Sequence, residues 1–152
     1  MQLPHYLGLL HRSECVLASA FREVGEAHTD EPDVRRTAEK LAAQCERHAA
    51  ELEPFVDRYG EERDEEPERL HSDLFSGTRS GPLGLVRDLH DLYLMANACD
   101  IAWTMIGQAA QGAGDLELLD VVTYCEGQTV NQIKWLKTRM KQAAPQALLV
   151  AS

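Results

Sequence analysis

Apolar residues recur in four stretches of this chain at alternating four- and three-residue spacings, which places them on one face of a helix in each stretch. The first stripe is Leu3, Leu7, Leu10, Glu14, Leu17, Phe21, Val24. The second is Val34, Ala38, Leu41, Cys45, His48, Leu52, Phe55, Tyr59. The third is Leu85, Leu89, Leu92, Ala96, Cys99, Trp103, Ile106, Ala110, and the fourth is Leu119, Val122, Glu126, Thr129, Ile133, Leu136, Met140. Each stripe holds its least typical residues near its middle. A buried carboxylate is costly unless it is paired, protonated or bound to a metal, so coincident breaks in all four stripes mark a candidate site.

The punctuation between stripes predicts an all-α chain with helices over about 4–27, 32–59, 82–111 and 115–143. Pro4 suits a first turn, and Thr29-Asp30-Glu31-Pro32 ends one helix and opens the next. Pro54 falls inside the second helix and is expected to kink its last turn. Gly60 stops it, Gly112 and Gly114 form the next turn, and Asp115 caps the fourth helix. Residues 145–152 form a short apolar tail beyond Pro145, expected to fray.

Short turns make the first and second helices antiparallel neighbours, and likewise the third and fourth. The connection 61–81 is charged over Glu61–Glu66, then amphipathic over Pro67–Phe75. At roughly 3.3 Å per residue its reach exceeds ~40 Å, enough to travel the length of a bundle. The expected architecture is an antiparallel four-helix bundle spanning 1–144: two hairpins joined by one long crossover. Hairpin register then sets Glu14 near Cys45 and His48, and Glu126 near Cys99 and Asp100, gathering all four cysteines in the same layer.

This arrangement resembles the ferritin-like di-metal carboxylate proteins, which carry a Glu on the first and third helices and Glu-x-x-His on the second and fourth. Glu14 matches the first-helix Glu. Cys45-x-x-His48 matches Glu-x-x-His with its Glu replaced, Cys99 takes the third-helix position with Asp100 one residue round, and Glu126-x-x-Thr129 has its His replaced. The resemblance implies a metal site in the bundle core held by Glu14, Cys45, His48, Cys99, Asp100 and Glu126, loaded with iron or zinc and related to redox chemistry. Thiols in place of carboxylates soften such a site and favour Zn²⁺ or Cu(I) over oxidised iron.

Other readings of the same residues stand beside this one. Glu14 with His48 reads equally as a buried pair that fixes register. Cys45 and Cys99 read as small core fillers, and Thr129 as a residue bonded back to its own helix. Asp100 belongs to a polar line, Tyr93, Asn97, Asp100, Thr104, Gln108, that suits a solvated or partner-facing side. Glu126 becomes half exposed if the fourth helix is rotated by one position. His11 shares a face with Glu14 and is a candidate to support it, while the remaining histidines have no distinctive context. Trp103 reads as core or interface packing. The alternative function is therefore a metal-free bundle acting as a binding or assembly module.

Composition excludes more than it selects. Asp and Glu outnumber Lys and Arg 25 to 15, for a formal charge of -10, which argues against nucleic acid and against an anionic membrane surface. No apolar run approaches the ~20 residues of a membrane span. The cysteine spacing fits neither a zinc ribbon nor a CxxC redox pair. A cytoplasmic homodimer or higher homo-oligomer with reduced thiols is the expectation.

Overall fold

The computed structural model describes residues 1–60 and 74–151. Its elements are helices α1 (Leu3–Ala27), α2 (Pro32–Gly60), α3 (Gly81–Ala113) and α4 (Leu116–Pro145), followed by a π-helical turn over Gln146–Val150. Among the described residues there is no strand. The expected turn over Pro67–Phe75 and most of the 61–81 connection lie outside the described residues.

The helix ends obey local chemistry. Pro4 sits in the first turn of α1, where its missing N–H costs nothing. Gly114, at φ 70°, closes α3 in the left-handed region that glycine enters freely, and its N–H bonds back to Gln111 O. Asp115 then caps α4 by accepting from the Leu118 N–H at 3.1 Å. α2 continues through Pro54 to Gly60. Pro145 removes one donor from the end of α4, and the next turn widens: Ala151 N–H donates to Gln146 O at 2.8 Å, and Ala147 is buried. The tail is thus a wound turn rather than a frayed end.

Helices α1 and α2 pack together, as do α3 and α4, and the pairs meet through α1 on α3 and α2 on α4. Partners across these seams run in opposite numerical senses. Glu14 meets Trp103 while His28 meets Asp88, and Asp33 meets Arg139 while Arg58 meets Asp115 and Glu117. Gly107 lets α4 approach closely, since a Cβ there would lie 3.1 Å from Val122 Cγ1.

Three predicted stripes form the core almost as written. Leu7, Leu10, Leu17, Phe21 and Val24 are fully buried on α1, as are Leu89, Ala96, Trp103 and Ala110 on α3. The fourth stripe is corrected by one position. The buried face of α4 is Leu118, Val122, Cys125, Thr129, Gln132, Leu136, Arg139 and Ala143, while Leu119, Glu126, Ile133 and Met140 lie half-buried at its edge. Hydrophobic spacing misplaces the face because Gln132 and Arg139, two true members that lie off the predicted stripe, are polar. Gln132 is sheltered by Gln44 and Cys45, and Arg139 by Asp33 at 2.7 Å and Glu31 at 3.0 Å.

Candidate functional site

The six predicted ligands divide into two groups. Glu14, Cys45, His48 and Cys99 are buried in the core layer. Asp100 and Glu126 are half-buried on the outer α3–α4 groove, where Thr104 Oγ1 donates to Glu126 Oε2 at 2.7 Å. The α4 rotation separates them: Cys125 faces inward where Glu126 was expected. On α3 the inward residue is Cys99, and Asp100 lies to the side. Among the described residues, no group of three or more His, Cys, Asp or Glu is arranged to hold a metal ion.

Glu14 is the centre of the inner group. Its Oε1 accepts from the Trp103 indole N–H at 2.9 Å and lies 3.3 Å from His48 Nδ1. His48 Nε2 donates to Gln128 Oε1 at 2.8 Å, because an amide oxygen can only accept. Gln128 in turn donates to the Tyr124 hydroxyl at 3.2 Å. His48 Nδ1, close to Glu14 Oε1, is buried and makes no hydrogen bond. The Trp103 ring stands edge-on to the imidazole, with centroids 6.0 Å apart and planes at 89°, and fixes its orientation. Glu14 Oε2 is buried and has no hydrogen-bond partner.

The thiols surround this pair as neutral groups. Burial, and then the Glu14 charge, pushes Cys45 and Cys99 well above the ordinary thiol range. Cys125 is pushed up to about 12, by burial first and then by Glu14 and Glu51. Cys15, the exposed cysteine, is raised more by burial than by Glu14 and Glu53. Thiolate is the reactive form, so a neutral-pH thiol reagent is expected to label Cys15 alone in the folded protein, and slowly. Mass spectrometry after timed alkylation checks this; prompt labelling of Cys45 or Cys99 would contradict the burial.

Thr129 donates to Cys125 O at 2.9 Å, occupied with its own helix as the packing alternative expects. His11 faces Glu53 at 3.5 Å rather than Glu14. Trp103 and Gln128 carry the hydrogen bonds that sequence reasoning missed. The available signal was faint: a Trp on the same stripe as Cys99, and a Gln four residues after Tyr124.

The outer carboxylates have their own electrostatics. Burial, and then the neighbouring Glu126 charge, raises Asp100 above the usual carboxylate range. A carboxyl whose folded pKa is raised binds its proton more tightly in the folded state, so ionisation costs stability as pH rises through that pKa. Asp100→Asn is expected to raise the melting temperature by about 1–2 °C at neutral pH. That gain should vanish below about pH 4, where the unfolded carboxyl is also protonated. Paired melts at the two pH values measure it.

No protein-family model, curated protein or solved structure matches this chain. No described helix is long and apolar enough to cross a membrane.

Proposed function

We propose that this chain is a ferritin-like bundle whose core site is closed by its own side chains, and that it acts as a metal-free binding or assembly module. Two antiparallel hairpins are supported by the opposite running of partners across α1–α2 (Arg22 with Glu39, His11 with Glu53) and α3–α4 (Thr104 with Glu126, Gly107 with Val122). A crossover is supported by the same opposite running across α1–α3 and α2–α4. The observation that carries the functional reading is the closure of the Glu14–His48 pair. Trp103 donates to Glu14 Oε1, His48 Nδ1 lies 3.3 Å from the same oxygen, and Gln128 takes the other imidazole nitrogen. One Glu14 oxygen and one imidazole nitrogen are thus taken by the protein's own hydrogen bonds, and Glu126 is engaged by Thr104. A cytoplasmic homodimer or higher homo-oligomer belongs to the same reading and accords with four free cysteines.

A second reading, a single zinc or iron ion in this layer, is favoured by one feature: the buried, unpartnered Glu14 Oε2, with neutral thiols nearby. It would require Cys45 and Cys99 to lose protons that burial holds firmly. Metal analysis of untagged protein, followed by thermal melts with added Zn²⁺, Fe²⁺ and Cu⁺, separates the two. Substoichiometric metal and unshifted melts are expected. One metal per chain, lost in Glu14→Gln, would overturn the metal-free reading.

A further inference from the structure

The net charge of -10 is not spread evenly. From Gly127 onward the chain has four cations, Lys134, Lys137, Arg139 and Lys141, and no Asp or Glu. Arg139 is engaged by Asp33 and Glu31. The three lysines are exposed, make no ion pair among the described residues, and follow each other at three- and four-residue spacings on one outward stripe of α4. α3 and α4 run in opposite directions, with Thr104 beside Glu126 and Gly107 beside Val122, so the start of α3 lies level with the end of α4. There α3 adds Arg87, also exposed and unpaired. Its carboxylates in this stretch, Asp88 and Asp91, are buried and bound to Arg79. This end of the α3–α4 face is thus electropositive on an acidic protein.

Apolar side chains stand beside the cations. Leu83 is 53% exposed at the start of α3. In the π-helical turn after Pro145, which packs on α3 and α4, Leu148, Leu149 and Val150 are 66%, 84% and 68% exposed, and only Ala147 is buried. Consecutive positions fan around a helical turn instead of lining one face. A shaped groove on a protein would not take all three, whereas fluid hydrocarbon would. Apolar groups that enter the acyl boundary while neighbouring lysines stay at the headgroups make an interfacial anchor.

We infer that this end of the α3–α4 face docks the protein on an anionic lipid surface, with Leu148, Leu149 and Val150 inserted and Lys137, Lys141 and Arg87 against the headgroup phosphates. The inference rests on the binding half of the proposed function and names its partner. The attachment is peripheral, since no described helix is long and apolar enough to cross a membrane. The acidic remainder of the chain sets the orientation, because an anionic surface repels the other faces.

Co-sedimentation of the whole chain with vesicles tests this. Binding is expected to phosphatidylcholine vesicles that contain phosphatidylglycerol, not to pure phosphatidylcholine, and it should weaken as salt rises. Leu149→Gln is expected to weaken it about tenfold, and Lys137→Gln combined with Lys141→Gln about thirtyfold. Helical circular dichroism should be unchanged in both, since these side chains are exposed. No binding to the mixed vesicles, equal binding to pure phosphatidylcholine, or binding that survives both variants overturns the docking surface. Capture of a polyglutamate peptide in place of vesicles, lost with the two lysines, overturns the lipid partner and leaves the binding-module reading standing. Stoichiometric metal in a chain that still binds the mixed vesicles overturns the metal-free reading and leaves this surface standing.

Discussion

Glu14→Leu is expected to lower unfolding free energy by about 3–5 kcal/mol, the cost of removing one partner from a buried pair. The loss comes from what remains. The fully buried Trp103 N–H would have no acceptor once Oε1 is gone, and the buried His48 Nδ1 would face an apolar side chain in place of a carboxylate oxygen. Glu14→Gln keeps an oxygen for Trp103 but removes the charge facing the imidazole, so an intermediate loss of about 1–2 kcal/mol is expected. Adding His48→Leu to Glu14→Leu should recover part of the loss, because the two residues share one interaction; a coupling of about 1–3 kcal/mol is the expected signature. Urea denaturation of five proteins (wild type, Glu14→Leu, Glu14→Gln, His48→Leu and the double variant) in the presence of a chelator measures the set. If Glu14→Leu lies within about 0.5 kcal/mol of wild type, the pair is not the structural element described above. If the chelator alone abolishes the difference, a metal holds the layer instead.

The second large effect is expected at a site far from that layer. Asp88 is fully buried and ties two other parts of the chain to α3. His28, at the α1–α2 turn, lies 2.8 Å from its Oδ2. Arg79, in the segment entering α3, donates its backbone N–H to both carboxylate oxygens and its guanidinium to Oδ1 at 2.9 Å. Gly84 makes room for this approach: a Cβ there would come within 2.9 Å of the Arg79 carbonyl carbon. Asp88→Ala should therefore cost about 3–5 kcal/mol and free the segment before α3, seen as rapid tryptic cleavage after Arg79. Asp91→Ala removes a single bond from the half-exposed Arg79 and should cost about 1 kcal/mol. Equal stability of Asp88→Ala and wild type, with cleavage unchanged, would remove Asp88 from this role.

These two clusters differ in how far the sequence disclosed them. Glu14 and His48 were legible because a charged and a titratable residue interrupt otherwise apolar stripes at matching hairpin positions. The Asp88 cluster was not, because its members come from a turn, a connection and a helix face with no common period. His28 has nothing in its own neighbourhood to distinguish it; only folding brings Asp88 to it, 60 residues away.

The sequence alone determined four helices and their ends, because apolar spacing, prolines, glycines and the Asp115 cap act within a few residues of themselves. It also determined that Glu14, Cys45, His48 and Cys99 face the interior, since each lies on a stripe whose other members are mostly large and apolar. Tertiary structure decided the rotation of α4, and with it the composition of the site. Gln132 and Arg139 are buried only because Gln44, Cys45 and Asp33 on α2, and Glu31 just before it, satisfy them. That choice turns Cys125 inward and Glu126 outward, and lets Gln128 close on His48. A polar residue's burial depends on its partner, and the partner here lies on a different helix.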